Sequence, residues 1–324
     1  MFEGDQSGVM AGDSDKSRLD DAARAGWLYF IAGHTQDEIA RMLQVSRASA
    51  QRLVSLCLAE RLITFRLEHP IASCMALAAQ LKERFALVHC EVVPTDPAAP
   101  TGSAGIAERC ANLLETTLRA ETPVIIALGT GRAVRAAVER VSPVDRPEHQ
   151  IVSLVGNILA DGSASFFDTV GRLADRTGAR HYPMPLPFLM GSEDERDRMV
   201  RLDAIAKVKG VADKADLKLI GIGQMDQKAQ MHVDGFVTRD ELTEMMRLGA
   251  IGEITGWAYD ASGKVIEGGT NRRLTSIPPD VPARAMTIAA ALGPAKIPAI
   301  RAALTGRLIN GLITDEATAR AILA

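Results

Sequence analysis

The sequence predicts two domains of different class, a small all-α module at the N-terminus and a larger α/β module with a mostly parallel sheet. Three observations predict this. Before position 60, apolar residues recur at helical spacing and are punctuated by Gly33, Thr35 and Ser46, residues that end or begin helices. After position 71, short apolar runs repeatedly enter glycine turns and then helices, the pattern of a doubly wound, Rossmann-like sheet. The chain has 324 residues, 47% of them hydrophobic, enough for one small core and one large core without disulfides.

Residues 1–17 hold four acids against one lysine and little apolar character, so they read as a disordered tail and not a signal peptide. Leu19 to Ala32 reads as a first helix stopped by Gly33. Thr35-Gln-Asp-Glu38 has the form of a capping box and opens a second helix through Leu43. Gln44 and Val45 make a turn, and Ser46 caps a third helix to about Glu60. Leu62 to Arg66 has β-branched and aromatic character and predicts a short strand.

A helix near Ala72 to Phe85 opens the second module, followed by a strand at Val88 to Val93. A loop from Pro94 to Gly105 leads into a helix ending near Ala120. The run Val124 to Leu128 enters Gly129-Thr-Gly131, with a helix from Arg132. Ile151 to Val155 then ends in Gly156-Asn157, and Leu217 to Ile220 ends in Gly221-Ile-Gly223. Thr287 to Leu292 ends in Gly293, and Leu312-Ile313 ends in Thr314-Asp-Glu316. The segment from His181 to Pro187 carries three prolines and reads as a stiff connection or a pocket wall.

The run TQDEIARMLQVSRASAQRLV has the form of a DNA-binding helix-turn-helix. Ala40 supplies the small residue where two helices cross, and Ile39, Leu43, Val45, Ala50 and Leu53 fall on one buried face. Arg47, Ala48, Ser49, Gln51, Arg52 and Ser55 remain outward, polar or small, without an acid among them. Arginine pairs with guanine and glutamine with adenine in the major groove. Thr35, Gln36 and Ser46 stand at helix starts, where phosphates are met. Gln44 occupies the place where many such turns carry glycine, which predicts a somewhat different turn.

The net charge of −3 is unevenly spread, because residues 18–66 hold seven arginines against five acids. A mildly basic module on an acidic body suits a protein that touches double-stranded DNA with one end. Two arginines on the expected reading face are few, so tight binding calls for dimerisation over a two-fold operator. Cys57, Cys74, Cys90 and Cys110 have no metal or redox spacing and read as reduced thiols, with no metal and no cofactor implied. No segment approaches the ~20 apolar residues of a membrane helix, and the expected compartment is the cytoplasm.

At this point the chain resembles the SorC family of sugar-responsive regulators. The likeness rests on AGWLYFIAGHTQDEIARMLQVSRASAQRLV, LVGN near 154, GIG at 221, GAIGEITGWAYDASG from 249 and the closing ITDEATARAIL. It spans roughly residues 22–324. The residue pattern divides the chain into a helix-turn-helix domain over 18–66, a linker over 67–72 and a larger domain over 73–324, and the resemblance implies that the larger domain binds an effector and assembles the chain into a homodimer or homotetramer. That larger domain would be similar to sugar-phosphate isomerases and take a small sugar, polyol or sugar phosphate above the C-terminal strand ends. Carried over by position, the effector residues would be Gly129, Thr130, Gly131, Arg132, Gly156, Asn157, Gly221, Gly223, Glu253, Asp260 and Lys296.

Two departures from the family pattern are Gly131, where a threonine is common, and Glu253, where an aspartate is common. With Arg132 they imply a ligand unlike the commonest sugar phosphates, and the chain resembles the branch associated with polyols such as erythritol. A glycine loop opening a helix suits an anion, and Lys296 after a strand suits a phosphate or carboxylate. Glu253 and Asn157 are placed to accept or share hydroxyl hydrogen bonds, and Asp260 is equally readable as a hairpin turn. The alternative is a sugar-phosphate isomerase-like enzyme with an appended helical domain, for which Glu253 is the one candidate base. No complete dinucleotide or P-loop fingerprint is present, and the expectation is a regulator and not an enzyme.

Overall fold

A computed structural model of the chain describes residues 9–63, 71–159, 162, 163 and 168–324. The chain divides into two compact units, Met1–Pro70 and Ile71–Ala324. The division falls after Pro70, and Ala72 opens the first helix of the second unit, where one was expected; residues 67–70 of the expected linker lie outside the described residues.

In the N-terminal unit, α1 (Val9–Gly26) runs into a single π-helical turn, Trp27–Ile31. It starts ten residues before the expected Leu19, so residues 9–17 are helical where a disordered tail was expected; residues 1–8 lie outside the described residues. Extending an existing helix adds one hydrogen bond per residue ordered, which an apolar-pattern reading does not register. Helices α2 (Gln36–Met42) and α3 (Arg47–Ala59) follow. The capping box forms: Glu38 N–H donates to Thr35 Oγ1 at 3.4 Å and Thr35 N–H donates to Glu38 Oε2 at 2.8 Å. Ser49 N–H donates to Ser46 Oγ at 3.1 Å. Ile39, Ala40, Ala50 and Val54 pack with Ala25 into one small core.

Gln44 departs from expectation in an instructive way. Its φ of +54° is the left-handed conformation that glycine holds in such turns, so the turn geometry is retained with a residue that strains it. Val45 N–H donates to the Ala40 carbonyl at 2.9 Å and Gln44 N–H to the Arg41 carbonyl at 3.4 Å, the paired bonds that close a helix C-terminus. Leu62 and Ile63 form a bend and no strand; the rest of that predicted strand, 64–66, lies outside the described residues.

The second unit opens with α4 (Ala72–Phe85), β1 (His89–Val93), α5 (Ala104–Leu118), β2 (Ile125–Leu128) and α6 (Arg132–Val138). It continues with β3 (Gln150–Ile158), α7 (Thr169–Thr177), β4 (Arg180–Pro187), α8 (Glu193–Val200), α9 (Asp203–Ala212) and β5 (Leu217–Gly221). Then come β6 (Gly223–Gln224), α10 (Gln230–Val233), α11 (Arg239–Arg247), β7 (Gly252–Ile254) and β8 (Trp257–Tyr259). The chain closes with β9 (Met286–Ala290), α12 (Ile297–Thr305), β10 (Gly311–Asp315) and α13 (Glu316–Leu323).

Seven of these strands form a parallel sheet in the order β1-β10-β9-β5-β2-β3-β4. Neighbouring residues alternate between two cores, as Ala127 against Ile126 and Leu128, or Ala289 against Ile288 and Ala290. Burial of both faces explains why these strands read as unbroken apolar runs. The prolines of β4 (Pro183, Pro185 and Pro187) sit at alternate positions of an edge strand, where absent N–H groups break no ladder. Strand order reverses between β2 and β5: β3 and β4 lie to one side, β9 and β10 to the other. Above β5, the short β6, β7 and β8 form a small antiparallel sheet in which Gly223 pairs with Glu253.

Candidate functional site

The loops diverge where strand order reverses, and there they leave a cavity of about 500 Å³. It is walled by the turns after β2, β5 and β9, the loop before α5, and residues of α10 and β7.

Each strand-end turn is built for close approach. Gly131 has φ +115° and ψ 162°, backbone that a side chain would strain, and a Cβ there would point into open space. Gly129 lies beneath: a Cβ would stand 3.3 Å from Ile220 and Thr255, so it supports the loop and does not line the cavity. Of the residues carried over from the family resemblance, Thr130, Gly131, Arg132, Gly221, Gly223, Glu253 and Lys296 line it. Two further polar atoms there, Thr130 Oγ1 and Gln224 Oε1, are buried with no hydrogen-bond partner among the described residues. Such atoms are costly unless something else satisfies them.

Glu253 is pinned. Gly256 N–H donates to its Oε2 at 2.8 Å, and its Oε1 occupies the space where a Cβ at Gly223 would lie. Burial pushes its carboxyl above the ordinary carboxylate range, against the opposing pull of the Gly256 N–H, Lys296 and the Gly223 N–H. Lys296 follows Gly293 on a short 3-10 turn, Pro294–Lys296. Burial holds its ammonium below the ordinary lysine range, with Glu253 opposing and the Arg132 charge adding to the depression. Lys296 and Glu253 both line the cavity and each influences the other's charge, with no ion pair between them among the described residues. A hydroxyl between them would accept from the ammonium and donate to the carboxylate.

At the mouth, Arg132 Nη2 donates to Gln230 Oε1 at 2.9 Å, and Gln230 Nε2 donates to Asp234 Oδ1 at 2.7 Å. The apolar wall includes Phe188 and Phe236, whose ring centroids are 4.7 Å apart.

Three predicted residues lie elsewhere. β3 runs on to Ile158, beyond its expected end, which places Gly156 inside a strand. A Cβ on Gly156 would fall 2.6 Å from Thr275 Oγ1 and 2.8 Å from the Leu186 carbonyl, so this glycine serves packing. Asn157 is exposed on the same strand and does not line the cavity. Asp260 makes a turn: its Oδ1 accepts from Ser262 N–H at 2.8 Å and Lys264 N–H at 3.0 Å. Sequence reasoning missed Thr101, Ser103, Gln224, Gln230 and Asp234. Only Gln224 left a signal, as the residue following Gly221-Ile-Gly223.

In the N-terminal unit, Arg47, Ala48, Gln51 and Arg52 are exposed on α3, Ser49 is half-buried, and Gln36 is half-buried at the start of α2. Arg47 Nε lies 3.4 Å from Asp37 Oδ1, and Arg52 Nη2 donates to Ser49 Oγ at 3.2 Å. Thr35 and Ser46 use their hydroxyls as helix caps. Among the described residues no cluster of His, Cys, Asp or Glu is arranged to hold a metal, and no helix is long and apolar enough to cross a membrane. The four cysteines are free thiols, and burial pushes that of Cys90 up to about 12.

Residues 69–324 match the family "Putative sugar-binding domain". The chain is 31% identical over 307 residues to the erythritol catabolism regulatory protein EryD of Brucella abortus, covering 93% of this chain and 96% of that protein. It is 29% identical over 310 residues to the transcriptional regulator LsrR of Klebsiella pneumoniae, covering 93% and 92%. Its fold resembles that of the full-length sorbitol operon regulator SorC from Klebsiella pneumoniae, with a TM-score of 0.70 over 94% of this chain and 98% of that one, at 24% identity. Relatives named as regulators do not favour the isomerase alternative. With a sugar-binding family matched over its whole larger unit and a regulator matched along nearly its full length, the chain belongs to the SorC family of sugar-binding transcriptional regulators.

Proposed function

We propose that the N-terminal unit is a helix-turn-helix domain that reads operator DNA through α3, and that the cavity takes a small sugar, polyol or sugar phosphate controlling that binding. The observation that carries the ligand reading is the presence of Glu253 and Lys296 in the lining of one cavity without an ion pair between them among the described residues, beside the unpartnered Thr130 and Gln224 oxygens. Charged and neutral groups held apart in this way are suited to a molecule rich in hydroxyls. The parallel sheet with a cavity at its reversal point supports kinship with the sugar-phosphate isomerase fold. The relative named for erythritol catabolism supports a polyol, and a carbohydrate or polyol catabolic operon, acted on in the cytoplasm, as the target.

For DNA, Arg47, Gln51 and Arg52 are the base readers, and Thr35, Gln36, Ser46, Ala48 and Ser49 lie at the phosphate-facing and groove-facing surface. A homodimer or homotetramer supplies the second half-site. Ligand binding changes the spacing of half-sites only in so far as it favours one arrangement of subunits. Thermal denaturation with polyols, sugars and their phosphates identifies the ligand, and operator binding with each hit connects it to regulation. The double variant Arg47→Ala, Arg52→Ala is expected to lose affinity for operator by about 2–6 kcal/mol, taking ~1–3 kcal/mol for each base-reading arginine. Unchanged binding to the upstream promoter would show that α3 is not the reading helix.

A further inference from the structure

At the mouth of the cavity, a cation, an amide and an anion stand in line. Arg132 donates to the Gln230 side chain and Gln230 donates to Asp234. Guanidinium only donates and carboxylate only accepts, so the orientation of the Gln230 amide between them is unambiguous. A carboxylate at position 230 would contact Arg132 directly and cancel its charge; a hydrocarbon would leave the guanidinium unaimed. The amide does neither. It holds Arg132 in place while keeping Asp234 one side chain farther off.

The element carrying Gln230 is firmly seated. Ala229 and Met231 on either side are buried, as is Phe236, which stacks near Phe188 in the cavity wall. Gln230 makes the single side-chain hydrogen bond of Arg132 among the described residues, and the remaining guanidinium donors stay available at the lining. Arg132 also acts on the ammonium of Lys296, so its charge is felt inside the cavity.

We infer that Gln230 is a positioning residue that sets the charge selectivity of this cavity, holding Arg132 aimed and uncancelled so that the ligand binds with an anionic end at the mouth. The anionic end is a phosphate ester or a carboxylate; both take the paired donors of a guanidinium. The inference rests on the proposed reading of the cavity as the ligand site.

The test is calorimetric titration of the full chain and of Gln230→Glu with four probes: a four-carbon polyol, its monophosphate ester, the corresponding sugar acid, and inorganic phosphate. Gln230→Glu is nearly isosteric, and its folding is verified by its melting temperature. The expected result is a loss of about tenfold or more for the anionic probes, with the neutral polyol within about twofold of the parent. Gln230→Met, which frees Arg132 without cancelling it, is expected to lose less than Gln230→Glu on the same probes. The larger loss among phosphate ester and sugar acid distinguishes the two kinds of anionic end. Anionic probes bound equally by parent and Gln230→Glu, or a parent that binds the polyol and no anion, would overturn the inference. A parent that binds inorganic phosphate in a Gln230-dependent way but no polyhydroxy probe would overturn the hydroxyl reading of the cavity and leave this one standing.

Discussion

The two polar surfaces of this chain handle their hydrogen-bonding groups in opposite ways. On the N-terminal unit, polar side chains are used on one another: Thr35 and Ser46 cap helices, Arg47 stands beside Asp37, and Arg52 bonds Ser49. In the cavity, Thr130 Oγ1 and Gln224 Oε1 are buried and left without protein partners among the described residues. The difference follows from water. An exposed side chain exchanges one partner for another at little cost, and exposed ion pairs contribute little. A buried group has no such exchange, so leaving it unpaired is a standing destabilisation that a ligand relieves. On the proposed reading, one surface gives up contacts to bind and the other gains the contacts it lacks.

The sharpest way to break this comparison is Lys296→Met. If the ammonium is an unsatisfied ligand-binding group, its removal is expected to weaken ligand binding by about 1.5–3 kcal/mol, the worth of a hydrogen bond to a charged group. The ligand-free protein should melt higher than the parent, since a half-buried charge has been replaced by an apolar chain. Calorimetry and thermal denaturation read the two effects separately. A lower melting point with unchanged ligand affinity would make Lys296 a structural residue.

Next in size is a pH dependence at Glu253. Burial raises its carboxyl in the folded state above the ordinary value of 4.5. The neutral form therefore contributes stability that is complete below 4.5 and is lost as pH rises through the folded-state value. Glu253→Gln cannot ionise, so urea denaturation should show the variant gaining on the parent as pH climbs above 4.5. Parallel stability curves for the two proteins would remove the buried-carboxyl account.

The smallest effect sharpens the other side of the comparison. Gln44 holds a left-handed backbone, and Gln44→Gly is expected to stabilise the N-terminal unit by about 0.5–1 kcal/mol, the strain relieved less the entropy glycine loses. Operator affinity should not fall, because Gln44 lies in the turn and not on the face proposed to read DNA. A destabilised variant would mean that the Gln44 side chain makes contacts that outweigh its backbone strain.

Local chemistry was legible without the fold. The capping box at Thr35–Glu38, the Ser46 cap, the buried face of α2 and α3, and the glycines ending β2, β5 and β9 all depend on residues a few positions apart. The change of hydrophobic period near residue 70 is likewise a local signal, and the chain divides into two compact units there. β4 was obscured because its three prolines argue against a strand, and only its place at the sheet edge makes them harmless. The cavity was half legible. The family resemblance brought in Thr130, Arg132, Gly221 and Lys296, which line the cavity, and also Gly156 and Asn157, which do not. Membership is decided by which strand ends converge, and that is set by the order β1-β10-β9-β5-β2-β3-β4, in which β3 lies one strand beyond the reversal. Gln230 and Asp234 carry no sequence signal, because what makes them part of a site is Arg132, 98 residues from Gln230 along the chain and one hydrogen bond away in space. Sequence alone determined the caps, the periods and the turn glycines, since those energies are local. The meeting of Arg132, Gln230, Glu253 and Lys296 around one cavity was decided by tertiary structure, since only the packed sheet brings them together.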